Sequence, residues 1–201
     1  MAEWEKFIHN PADDVLVQLS IVHAEFESLH PFLDGNGRIG RMLIPLFLFG
    51  RKILREPMFY LSEFLEANRQ EYYDRLLAVS RDDDWTGWCQ FFLNAVTRQS
   101  AQNEKKARQI LELYQQRKDW IVEETHSQHA IRALDFVFGT PIFNSSHFIE
   151  SSKIPPPTAR RILGILAKIG LLKTVREGSG RRPAVFAFAE LLKITEGRPV
   201  V

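Results

Sequence analysis

Apolar residues fall at Val15, Leu19, Val22, Phe26 and Leu29, the three- and four-residue spacing that lines up on one stripe of an α-helix. This predicts a helix that stops at Pro31, because a proline ring disfavours helical backbone in the residue before it. A short amphipathic helix over residues 4–10 precedes it, closed by Asn10-Pro11. Residues 36–50 are apolar almost all round, as a central buried helix would be, and Pro45 within them removes a backbone donor and predicts a kink. Residues 62–79 read as one helix capped by Ser62, with Tyr72 and Tyr73 near its middle. The acidic turn Asp82-Asp83-Asp84 favours the start of another helix near Trp85. That helix extends to about residue 124, with residues 100–103 the place where it would break.

Beyond residue 125 the pattern changes from long helical segments to short ones separated by Gly and Pro. Helices are expected over 130–138, 145–151 and 156–169, the last opened by Pro156-Pro157 and closed by Gly170. Residues 171–175 and 184–188 alternate as two strands around a Gly-rich tip at 177–182. The expected fold is therefore mainly α: a helical bundle over residues 1–125, then a small winged-helix domain over 126–201. Charge divides at the same place. Residues 1–125 carry net −5 and residues 126–201 net +6, which the overall +1 conceals.

With 201 residues, 45% of them hydrophobic, the chain can bury a proper core. The single cysteine, Cys89, rules out an intramolecular disulfide; it lies in an apolar run and reads as an inert thiol in a reducing compartment. The N-terminus is charged and helical, unlike a signal peptide. The longest apolar run, residues 42–50, is half of the roughly 20 residues a membrane helix needs. A soluble, cytoplasmic protein without a membrane partner is the expectation.

Candidate chemistry concentrates in residues 30–41, His-Pro-Phe-Leu-Asp-Gly-Asn-Gly-Arg-Ile-Gly-Arg. Glycines let backbone N–H groups crowd an anion, and a helix beginning at the Gly-Asn-Gly turn aims its positive end the same way. Arg38 and Arg41 can neutralise phosphate oxygens, Asp34 can hold Mg²⁺ or cap the following helix, and the imidazole of His30 can serve as a base. The dozen reads as a nucleotide site. Gly35 to Gly40 also fits GxGxxG, but that fingerprint needs a preceding strand, and residues 15–29 have helical spacing. No GxxxxGK[ST] is present, and His9, His23, His126, His129 and His147 show no metal spacing.

At every specified position the dozen resembles the motif of the Fic family, H-x-F-x-[DE]-G-N-G-R-x-x-R, and the likeness extends over the flanking helical text from about residue 4 to 95. The resemblance implies a Fic-type helical bundle and a protein adenylyltransferase, which moves AMP from ATP to a Tyr, Thr or Ser hydroxyl of a target protein. It implies His30 as catalytic base, Asp34 as Mg²⁺ ligand, and Gly35, Asn36, Gly37, Arg38, Gly40 and Arg41 as nucleotide-binding residues, with Asn36 helping to hold the α-phosphate. Phe32 corresponds to an anchor of the loop, a role a buried aromatic would also fill. Tyr60, Tyr72 and Tyr73 follow in a stretch resembling the adenine-side wall; Tyr60 and Tyr73 are the stronger candidates.

In the family an upstream β-hairpin flap docks the target, and an inhibitory helix, [ST]-x-x-x-E-[GN], blocks the second arginine. This chain begins after the flap's position and has no match to that pattern; Thr195-Glu196-Gly197 has the wrong spacing. The expectation is the C-terminal part of a longer protein, impaired in transfer as it stands, or one whose inhibitor comes from a partner chain. Two alternatives stay open: the same site using another nucleotide or removing AMP, and a DNA- or protein-binding regulator in which the site senses nucleotide. For the latter, Arg160, Arg161 and Lys168 on the third helix and Arg181-Arg182 at the wing tip lie where a winged helix meets DNA. A protein-docking or homodimerisation module is the competing reading of that domain.

Overall fold

The computed structural model describes residues 1–180 and 182–197, which form two compact units, Met1–Asn103 and Glu104–Val201. The first unit contains α1 (Ala2–His9), α2 (Val15–Leu29), α3 (Asn36–Gly50), α4 (Ser62–Ala67), α5 (Arg69–Asp82) and the beginning of α6 (Trp85–Thr125). Asp14 starts α2 by accepting hydrogen bonds from the N–H groups of Leu16 and Val17, at 2.8 and 3.1 Å. The predicted stripe then buries Leu19, Val22 and Phe26; Leu19 and Val22 share a core with Ile44, Phe47 and Leu48 of α3 and Trp88, Phe92 and Ala95 of α6, while the Phe26 ring lies 5.6 Å from that of Trp4. Arg51, just past α3, donates to the carbonyls of Ile8 and Asn10, acceptors that the end of α1 leaves open. The helix α3 continues through a buried Pro45.

Two local expectations change. Residues 62–79 are two helices, because the side chain of Asn68 donates to the Phe64 carbonyl at 2.8 Å and its backbone leaves helical geometry. Ser62 does not cap; it is the first helical residue, and the buried Leu61 occupies the cap position. In contrast, α6 runs without a break through residues 100–103.

From Glu104 onward the second unit holds the rest of α6, then α7 (Ala130–Gly139), β1 (Ile142–Asn144), α8 (Ser145–Ser151), α9 (Pro156–Lys168), β2 (Lys173–Arg176), β3 (Val185–Ala187) and α10 (Ala189–Glu196). The strands form an antiparallel sheet in the order β1-β3-β2, with Phe143 opposite Phe186 and Thr174 opposite Phe186 on the other side. Leu134, Val137, Phe148, Ile162, Leu166 and Phe188 make its core. Neither β1 nor α10 was expected from the sequence. The units divide earlier than the expected 125 because Leu113 and Ile121, on the charged half of α6, are buried in this second core; net charge does not register so narrow a stripe. Among the described residues no helix is long and apolar enough to cross a membrane.

Candidate active site

Pro31 keeps His30 out of right-handed helical backbone. His30 instead adopts φ 44° and ψ 54°, a left-handed conformation uncommon for a residue with a side chain, and so terminates α2. Its N–H still closes on the Phe26 carbonyl at 3.2 Å, and its ring Nδ1 lies 3.3 Å from the Glu27 carbonyl. A carbonyl only accepts, so that bond places the proton on Nδ1 and leaves the Nε2 lone pair of the neutral ring available.

The loop that follows is locked by Asn36. Its side chain is buried; Oδ1 accepts from the Phe32 N–H at 2.9 Å while Nδ2 donates to the Phe32 carbonyl at 2.6 Å. One N–H of the Asn36 amide is thus engaged by the loop, and Asn36 also lines the cleft described below. Phe32 holds the loop through its backbone rather than as a buried ring, since the ring is half exposed. Gly35 sits at φ +82°, a conformation suited to glycine, and accepts from the N–H groups of Arg38 and Ile39 as α3 begins. At such a helix start the N–H groups of Asn36 and Gly37 have no intrahelical acceptor. The Asp34 carboxylate accepts the Gly35 N–H at 2.6 Å.

These groups surround one cleft of about 570 Å³, lined by His30, Asp34, Gly35–Arg38 and Arg41. The opposite wall is made by Ser62, Leu65, Glu66, Arg69, Tyr72 and Tyr73. Arg69 and Glu66 had no signal in the sequence; they face each other across the break at Asn68 at a 3.8 Å ion-pair distance, and the Arg69 guanidinium stands 5.7 Å above the Tyr73 ring. Only the helical phase of residues 62–79 relative to Tyr73 could have suggested them. The tyrosines separate. Tyr73 is half exposed in the cleft, whereas Tyr60 lies outside it, in a neighbouring hollow of about 320 Å³ that shares Arg38 and Arg41.

Gly40 does not line the cleft. A Cβ there would collide with the Glu27 carboxylate and come within 3.2 Å of the Phe26 ring, so Gly40 is the point where α2 and α3 pack closely. Its carbonyl is 3.2 Å from Nδ1 of the buried His23, whose Nε2 is 3.0 Å from the Tyr72 hydroxyl. The Nδ1–H therefore donates to Gly40 and Nε2 accepts from Tyr72. Burial, assisted by the nearby Arg41 charge and opposed by the Gly40 bond, pulls the His23 pKa down to about 4. Burial likewise raises the Tyr72 phenol and the Glu27 carboxyl, whose Oε1 is buried without a hydrogen-bond partner; Arg41 and His30 act against the Glu27 shift. Among the described residues no group of three or more His, Cys, Asp or Glu could enclose a metal. Asp34 supplies one carboxylate at the turn that opens α3, a donor set that fits an ion such as Mg²⁺, which takes one or two carboxylates with its other oxygens from elsewhere.

Residues 1–48 match the model of the Fic/DOC family. The chain is 32% identical over 68 residues to a probable protein adenylyltransferase from Aquifex aeolicus (strain VF5). That likeness covers 34% of this chain and 21% of the relative. It is also similar in fold to the crystal structure of a Fic family protein from Desulfovibrio desulfuricans G20, with a TM-score of 0.50 and 21% identity. The match takes in 93% of this chain and 53% of that one, so the chain spans about half of that protein's length.

Proposed function

We propose, from the match of residues 1–48 to the Fic/DOC family model, that this chain transfers AMP from ATP to a Tyr, Thr or Ser hydroxyl of a target protein. The carrying observation is that one cleft gathers an imidazole with its Nε2 lone pair available, two arginines, a carboxylate and the open N-terminus of a helix. The N–H groups at the start of α3 and the Arg38 and Arg41 guanidiniums bind the phosphates and neutralise the departing pyrophosphate. His30 Nε2 accepts the proton of the target hydroxyl as its oxygen attacks the α-phosphorus and the bond to pyrophosphate breaks. Asp34 would hold Mg²⁺, which supplies charge neutralisation to the phosphate oxygens. Tyr73, stacked by Arg69, offers an aromatic face for the adenine. Asn36 and Gly40 act by holding this machinery in register. The second unit is read as a winged helix, on its order of helix, strand, two helices and hairpin.

His30→Ala tests the reading. Label transferred from α-labelled ATP should fall about 10²–10⁴-fold, with ATP affinity by calorimetry nearly unchanged. Labelling at the wild-type rate would end the assignment of His30. Arg41→Ala should weaken ATP more than AMP, since its contact lies beyond the α-phosphate; equal losses would place Arg41 in a structural role.

A further inference from the structure

Helix α9 buries Ala159, Ile162, Leu163 and Leu166. Its exposed residues are Pro156, Pro157, Arg160, Arg161, Gly164 and Lys168. From Pro157 onward these follow at three- and four-residue spacing, so they form a single outward face. Gly164 lies at the middle of that face. Nothing stands within 4 Å of where its Cβ would be, and its backbone is ordinary helix. Neither packing nor conformation inside this unit requires a glycine there, although glycine is a poor residue for a helix interior. Bare backbone on a helix surface admits a closely approaching partner.

Charge indicates which kind. The α9 sequence contains no acidic residue and carries Arg160, Arg161 and Lys168. Exposed Lys173, Arg176 and Arg182 follow in the hairpin, while Arg181 lies outside the described residues. Of the carboxylates in this part of the chain, Asp135 accepts from the Tyr114 hydroxyl and Glu190 pairs with Arg117. Arg161 is partly committed, donating to the Thr125 carbonyl at 3.0 Å. A protein-docking helix would present apolar anchors along its outer face; this one offers a proline, a bare glycine and cations. That composition matches a nucleic-acid interface, which is polar and positively charged.

We propose that α9 docks in the major groove of duplex DNA, with Arg160 and Lys168 on the phosphates and Gly164 allowing the helix backbone to approach the base edges. The groove is about 12 Å wide and admits one helix. This is independent of the nucleotide site.

The test is fluorescence anisotropy of the full 201-residue chain with a labelled mixed-sequence duplex of about 20 base pairs, between 50 and 200 mM salt. Wild type should bind, with affinity falling steeply with salt. Arg160→Ala combined with Lys168→Ala should weaken binding about tenfold or more and flatten the logarithmic salt slope by about 2. Gly164→Leu should weaken binding tenfold or more without lowering the melting temperature, which a merely structural glycine would not do. Lys193→Ala on α10 should bind like wild type. The proposal is overturned by wild type failing to bind at 50 mM salt, or by the double variant binding as wild type does. Equal weakening by Lys193→Ala, or equal affinity for poly-glutamate and duplex, would overturn it as well.

Discussion

Two glycines, each inside a helix, mark regions that work in opposite ways. At Gly40 a methyl group would strike the Glu27 carboxylate and press on the Phe26 ring; at Gly164 it would meet nothing. The first is buried at the crossing of α2 and α3, beside the cleft of the first unit; the second is exposed on the outer face of α9. One glycine is demanded by packing; the other meets no such demand inside its unit. The cleft of the first unit is built on contacts already made, His23 to Gly40 and Asn36 to Phe32, whereas α9 presents groups with little made around them. The helical phase alone does not distinguish these cases.

The largest effect expected of this contrast concerns the contacts under Gly40. His23 is held neutral there, with its pKa lowered to about 4 from an ordinary 6.5. The unfolded chain takes up a proton near 6.5 that the folded unit resists, so stability from this residue is whole above pH 6.5 and is lost as pH falls through 4. A shift of that size corresponds to roughly 3 kcal/mol. Urea unfolding followed by tryptophan emission should report it, because Trp88 stacks on His23 at 6.1 Å. The midpoint should fall between pH 6.5 and 4, and the fall should be smaller in His23→Gln, which keeps a donor and an acceptor without titrating. The same pH dependence in both proteins would remove His23 from the account.

Next is Gly40→Ala. Phe26 is a core side chain and cannot retreat freely, so overpacking should cost about 1–3 kcal/mol and loosen the start of α3. Unfolding measurements check the stability, and ATP calorimetry should show a weaker complex although Gly40 does not line the cleft. Wild-type values for both would mean that Glu27 simply swings aside and that the crossing tolerates a methyl group.

That His30, Asp34, Arg38 and Arg41 come together on one cleft was legible because they lie close along the chain. The surroundings of Asn36 and Gly40 were not. A motif gives residue types but not which atoms already have partners, and the Asn36 amide bonds the Phe32 backbone. Glu66 and Arg69 reach the cleft from two further helices, α4 and α5, which periodicity cannot position in space. In the fold, strong periodic helices such as α2 and α3 were legible. The break at Asn68 depends on a single side-chain bond, and β1 spans only three residues. The boundary between units followed a narrow apolar stripe on α6 that a charge average obscures.

The smallest effect is the opposite half of the comparison. Replacing Gly164 by Ala adds a methyl in open space and removes the backbone freedom that glycine forfeits on folding, so the second unit should become more stable by up to about 1 kcal/mol. Since α9 supplies Ile162, Leu163 and Leu166 to the core, helix stability should transmit to the whole unit rather than to one exposed turn. Differential scanning calorimetry of wild type and variant resolves a change of this size as a few degrees in melting temperature. A stabilising Ala at Gly164 beside a destabilising Ala at Gly40 is the outcome the two environments require. A loss at Gly164 would mean that its Cβ meets an unseen neighbour, and the contrast between the two helices would collapse.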